Sequence, residues 1–176
     1  MKNTNSPVKS VVVLTVICLV VTALLAVTNS VTKPVIAQMR DAKVQSSLQT
    51  VLPEASGFTE IPIPEGAHPT VKSIYKASDG SYAVVLATTS AYSSGDMGIT
   101  VGILPSGSIA GVMLTSYKES KDFGKDTYPQ KYVGATDVTY ASIDTYAGVT
   151  YSSKAFRHAI GDAFSAIKLV EGGVAE

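Results

Sequence analysis

The residues best suited to chemistry stand together at Asp144-Thr145-Tyr146-Ala147-Gly148-Val149-Thr150-Tyr151-Ser152-Ser153, just before an amphipathic stretch. A helix opening here would offer its first N–H groups and the positive end of its dipole to a phosphate. Gly148 allows a backbone or ligand to come close, and Thr150 sets a hydroxyl beside those N–H groups. Hydroxyl residues ahead of a helix also act simply as caps, and Ser152 or Ser153 is read as the N-cap. Lys154, one turn in, would help to balance a phosphate charge. Asp144 fits two uses, a turn-forming residue or a group that positions a cation or activates the hydroxyl.

Other chemistries find few residues to work with. Cys18 is the single cysteine, which excludes an intrachain disulfide, a four-cysteine zinc site and an all-cysteine iron–sulfur cluster. His68 and His158 have no partner at metal-ligand spacing, so no metal site is expected. No Ser/His/Asp set, no motif with paired catalytic carboxylates and no Gly-x-Gly-x-x-Gly fingerprint occurs. The 14 basic and 14 acidic residues cancel, and no long run of like charge provides the footprint of a nucleic-acid binder.

The elements that must hold the motif can be read from periodicity. After it, Phe156, Ile160, Ala163, Phe164, Ile167 and Val170 recur at helical spacing, and Gly172-Gly173 closes the helix. Before it, Ser73 to Ala77 and Tyr82 to Thr89 flank Asp79-Gly80, a strong hairpin signal. Ile99 to Leu104 and Ile109 to Tyr117 flank Pro105-Ser106-Gly107-Ser108, a second hairpin. Four antiparallel strands are expected, with a further strand-like stretch at Asp137 to Ile143. The prolines and glycines of residues 54–69 predict a loop or edge segment, and polar residues 118–131 a solvated loop. Strands first and a packing helix last indicate an α+β fold.

At the N-terminal end, Ser10 to Thr32 holds no charged residue and is dominated by Val, Leu, Ile and Ala, enough to span the hydrocarbon core as one helix. The run is long for the apolar region of a signal peptide, and Ala23-Leu24-Leu25-Ala26 provides no small-x-small cleavage site, so a retained anchor is expected. Lys2 and Lys9 on one side balance Lys33, Arg40 and Lys43 on the other, which leaves the orientation open. Thr32 to Thr50 reads as a separate helix with Pro34 in its first turn.

The stretch Asp144 to Ser153 resembles the flavinylation motif of the FMN-binding domain family, Asp/Asn-x-x-Ser/Thr-Gly-Ala-Thr followed by Ser-Ser, with Ala147 and Val149 as departures. The anchor, Thr32-x-Pro34-x-Ile36, Val51-Leu52-Pro53 and the run from Gly98-Ile99 through Ile109-Ala110-Gly111-Val112 extend the resemblance to the G subunits of Rnf electron-transport complexes. The resemblance implies FMN joined to Thr150 by a phosphoester that a flavin transferase makes, with Asp144, Gly148, Val149, Tyr151, Ser152, Ser153 and Lys154 around it. Tyr117 to Gly124 is similar to the family's loop near the flavin, which adds Glu119, Ser120 and Phe123. Tyr146, Tyr151 and Phe123 all remain candidates for stacking on the flavin ring.

The resemblance also implies a single-pass subunit of the inner cell membrane, held in the lipid bilayer among the other membrane subunits of the Rnf complex. It would relay electrons between ferredoxin and NAD while the complex moves Na+ or H+. Residues 1–9 would be a cytoplasmic stub, 10–29 the transmembrane helix, 30–52 a juxtamembrane helix and linker, and 53–176 an extracytoplasmic FMN-binding domain. The alternative is a membrane-anchored structural or binding module, pilin-like in outline, in which Thr150 only caps a helix. A pilin, however, carries Gly-Glu near the start of its apolar helix, and this chain does not.

Overall fold

A computed structural model describes residues 7–89, 95–118, 124 and 127–173. Helix α1 runs Pro7–Val51 and helix α2 Thr150–Gly173; between them lie strands β1 (Thr59–Ile61), β2 (Val71–Lys76), β3 (Tyr82–Thr88), β4 (Met97–Ile103) and β5 (Ile109–Ser116). The architecture is α+β, and the chain divides into two compact units, Met1–Ala42 and Lys43–Glu176.

The first unit is helical. Hydroxyls within its apolar run are satisfied inside the helix itself: Thr15 donates to the Val11 carbonyl at 2.9 Å, Thr22 to Cys18 at 2.7 Å and Thr28 to Leu24 at 2.9 Å. That bonding is what allows a hydroxyl to sit among apolar neighbours without an unmet partner. Pro34 was expected to open a second helix; instead it lies inside α1. A proline removes one backbone bond and crowds the carbonyl four residues back, at a cost of about 3 kcal/mol, but that cost is local. With long helical flanks on both sides, α1 continues through it.

The second unit is built on a five-stranded antiparallel meander in the order β1-β2-β3-β4-β5. Both predicted hairpins form. At the first, the Ala77 N–H donates to the Ser81 carbonyl at 2.9 Å, and Asp79 Oδ1 accepts the Ser81 N–H. At the second, the Leu104 N–H donates to the Ser108 carbonyl at 2.9 Å. Each turn needs a residue at positive φ and has glycine there, Gly80 at 86° and Gly107 at 78°. The segment from residue 54, read as a loop or edge, contributes β1, paired through Glu60↔Tyr75.

The two faces of the sheet are packed differently. On one, Val84, Leu86, Ile99 and Val101 meet Phe156, Ile160 and Ala163 of α2. Burying a side chain such as Phe156 contributes about 1.5–3 kcal/mol, so this stripe is the main support of the fold. On the other face Leu48, Val51 and Leu52, the end of α1 and the residue after it, cluster with Ala77 and Ala83. Thr100 on this face donates a buried hydrogen bond to Ser47 Oγ at 3.1 Å. Covered on both faces, β4 is buried at every position and reads as a continuous apolar run rather than an alternating one.

The strand expected at Asp137 to Ile143 does not form; the segment is a set of turns ending in a 3-10 turn, Tyr140–Ser142. The Thr139 and Tyr140 N–H groups donate to the Thr136 carbonyl, and Thr139 Oγ1 accepts the Thr136 N–H at 2.8 Å. Such local bonds compete with strand pairing. The nearby edge of β5 is already taken, because the Ile109 N–H donates to the Ala135 carbonyl and the Gly134 N–H to the Ile109 carbonyl.

Candidate functional site

The residues singled out from Asp144 to Lys154 come together at the start of α2, which begins at Thr150. Four residues earlier the chain reverses. The Val149 N–H donates to the Tyr146 carbonyl at 3.2 Å, and Gly148, third in the turn, has φ of 83°. A hydrogen-bonded four-residue turn with positive φ at its third position is the type II pattern, which explains the glycine.

Ser153 locks this turn. It was expected as an N-cap; the helix in fact opens three residues earlier, and Ser152 and Ser153 lie buried in its first turn. Ser153 Oγ accepts the Tyr146 N–H at 3.0 Å and donates to the Val149 carbonyl at 2.9 Å. One hydroxyl thus fastens both ends of the turn to the helix that follows. Arg157, two turns along α2 from Thr150, fastens the preceding segment: its Nη1 donates to the carbonyls of Ala141 at 3.3 Å and Ile143 at 3.2 Å. The sequence reading missed Arg157, although a basic residue seven positions after the acceptor, on the same helix face, was a visible signal.

The fastened turn presents its chemistry outward. Asp144, Ala147, Gly148, Thr150, Tyr151 and Lys154 are exposed and Val149 is half-buried. A Cβ built on Gly148 would meet nothing within 4 Å, so the turn is open to solvent two residues before Thr150. The first turn of α2 has no acidic residue, and no carboxylate there would repel an anion. An exposed threonine at the positive end of a 24-residue helix, with an open glycine turn before it and a lysine one turn on, fits a phosphate-linked group such as FMN.

Beneath the turn lies an aromatic group that the sequence reading also missed. Tyr128 and Tyr132 lie four residues apart around the 3-10 turn Pro129–Tyr132 and are fully buried. Their hydroxyls share a hydrogen bond of 3.1 Å, and both rings pack on Phe156 at 5.7 and 5.3 Å between centroids. Burial, reinforced by the bond to Tyr128, holds the Tyr132 phenol well above its ordinary pKa. Tyr146 joins the group, its ring 6.0 Å from that of Tyr128 and nearly perpendicular to it. Gly124, with φ of 68°, packs on the same ring: a Cβ there would lie 3.2 Å from Tyr146 Cε2. Glu119, Ser120 and Phe123 fall outside the described residues.

Within α1, Lys9–Pro34 is long and apolar enough, by length and composition, to cross a membrane. Among the described residues no group of three His, Cys, Asp or Glu could hold a metal ion.

Comparison with known families finds two matches. Residues 1–51 match the RnfG N-terminal region, and residues 93–165 match the FMN-binding domain, a span that includes β4, β5, the turn and most of α2. No individual curated protein matches the chain. The FMN-binding match gives the cofactor of the domain, FMN, and the N-terminal match gives the assembly, an Rnf complex. The chain therefore belongs to the RnfG family, as an FMN-binding subunit of an Rnf complex with one N-terminal apolar helix that fits a single-pass membrane protein.

Proposed function

We propose that this subunit carries FMN covalently on Thr150, through a phosphoester attached by a flavin transferase, and relays electrons within an Rnf-type ferredoxin:NAD oxidoreductase that moves Na+ or H+. The observation that carries this reading is the exposed Thr150 hydroxyl at the opening of α2, inside the span that matches the FMN-binding domain.

Bound FMN would supply reversible two-electron chemistry that can also proceed one electron at a time, which the side chains of this protein do not provide. The residues of the chain do the rest. Thr150 Oγ1 holds the phosphate, and a tether there keeps the flavin at high local concentration in its site. The helix N-terminus stabilises the remaining phosphate charge by about 0.3–1 kcal/mol, and Lys154 adds a second positive charge. Gly148 leaves space for the phosphate and ribityl arm. Ser153 and Arg157 hold the turn and the segment before it against α2. Asp144, Val149, Tyr151 and Ser152 complete the surroundings, with Glu119, Ser120 and Phe123 as the further residues that the family resemblance adds.

In this reading residues 1–9 form a cytoplasmic stub, 10–29 cross the lipid bilayer of the inner membrane, 30–52 link the span to the domain, and 53–176 work on the extracytoplasmic side beside the other Rnf subunits. The test is intact mass and in-gel flavin fluorescence of the chain co-expressed with a flavin transferase, beside Thr150→Ala. The expected result is a gain of one FMN less one water in the wild type and none in the variant. An unmodified wild type beside an active transferase would reduce Thr150 to an ordinary helix-opening residue.

A further inference from the structure

We infer that the Tyr146 ring is the wall on which the isoalloxazine of the Thr150-linked FMN stacks; this rests on the attachment proposed above. Three aromatic residues were open for that place, Tyr146, Tyr151 and Phe123, and the geometry separates the two that are described. The type II turn brings the Tyr146 backbone back to Val149, the residue before the acceptor, although Tyr146 precedes Thr150 by four residues in the chain. Tyr151 is 60% exposed and follows Thr150 directly on the helix, where neighbouring side chains diverge by about 100° rather than share a face.

Rigidity distinguishes them further. The Tyr146 N–H is held by Ser153 Oγ, and its ring rests on Tyr128, itself locked by Tyr132 and Phe156. Gly124 closes another side of the ring. The residue keeps 36% of its surface exposed while its ring is held against Tyr128, at the turn that precedes the acceptor. Tyr128 and Tyr132 are fully buried and offer no such surface. Aromatic pairs contribute about 0.5–1.5 kcal/mol beyond their buried area, and for a tethered ring that already cannot diffuse away this is enough to favour the stacked arrangement.

Stacking on a phenol has an optical signature. An excited flavin draws one electron from an adjacent tyrosine ring, the electron returns, and the excitation is lost without light or net chemistry. Indole would do the same, but the chain has no Trp, so the quenching reports on tyrosine alone.

The experiment uses the full chain in detergent, loaded through a flavin transferase, as wild type, Tyr146→Phe, Tyr146→Leu and Tyr151→Phe. Mass confirms equal loading and circular dichroism confirms the fold; fluorescence lifetime and anisotropy are then read. The wild type should be dim with a short lifetime. Tyr146→Phe should brighten several-fold with anisotropy retained, because phenylalanine still stacks but donates poorly. Tyr146→Leu should brighten and lose anisotropy, and Tyr151→Phe should brighten far less than Tyr146→Phe. Loaded, folded Tyr146 variants as dim as the wild type would overturn the stacking while leaving the attachment in place. A wild type without flavin on Thr150 would overturn the attachment, and the stacking with it.

Discussion

Ser153 Oγ accepts the backbone N–H of Tyr146 across seven residues, at 3.0 Å, from a position with no exposure to solvent. The hydroxyl also donates to the Val149 carbonyl, so one buried atom group defines the turn that presents Thr150. Replacing Ser153 with Ala leaves the Tyr146 N–H without that acceptor. Two hydrogen bonds are lost together, each worth about 0.5–1.5 kcal/mol, and urea unfolding of Ser153→Ala should show a loss of about 1–3 kcal/mol with an unchanged slope.

Gly148 is required for a different reason. A side chain there would meet nothing within 4 Å, but φ of 83° is a conformation that other L-residues adopt at a cost of about 1–2 kcal/mol. Gly148→Ala should lower the melting temperature, and Gly148→Asn, which tolerates this region better, should lower it less. Gly148→Val should remain folded yet lose flavin loading, read by intact mass, because branching fills the space beside Thr150. Normal loading of that variant would remove Gly148 from the site.

Gly111 answers to packing. Paired across the strands with Gly102, it lies under the end of α1, and a Cβ there would stand 2.7 Å from the Val51 carbonyl oxygen and 2.9 Å from Val51 Cα. Backbone cannot rotate away as a side chain can, so Gly111→Ala should destabilise the domain by about 1–3 kcal/mol. In Gly172→Ala, within α2, the new methyl meets nothing, and the lost glycine entropy should instead stabilise by up to about 1 kcal/mol. Chemical denaturation of the two variants should give shifts of opposite sign.

Tyr132 makes alkaline pH a probe of the core. Its folded-state pKa lies above the unfolded value of about 10, so the folded state holds the phenolic proton more tightly. The corresponding stabilisation is complete below about pH 10 and is lost as pH rises beyond it toward the folded value. Thermal unfolding followed from pH 8 to 12 should show a midpoint that falls above about pH 10. The phenolate absorbance of Tyr132 should appear with unfolding rather than before it, and Tyr132→Phe should flatten that alkaline decline.

Some of this protein is written directly in its sequence, because the cause acts over a few residues. An uncharged run from Ser10 to Thr32 is apolar enough to span a bilayer whatever surrounds it. Asp79-Gly80 and Pro105-Ser106-Gly107 turn the chain because positive φ is cheap at glycine, and the spacing of Phe156, Ile160, Ala163 and Ile167 requires a helix that buries one face. Thr150 stood out through a local pattern as well.

What escaped the sequence depends on residues distant along the chain. The stretch Asp137 to Ile143 has strand-like composition, yet Gly134 and Ala135 already occupy the sheet edge at Ile109, and the threonines turn the chain instead. Pro34 looks like a helix start, and the continuity of α1 on both sides overrides it. Ser153 looks like a cap; only the reversal at Gly148 brings the Tyr146 N–H to it. Arg157 finds its two carbonyls, and Tyr146 finds Tyr128, only once α2 has packed on the sheet, since side-chain chemistry names a possible partner but only the packed chain brings it within hydrogen-bonding or van der Waals reach.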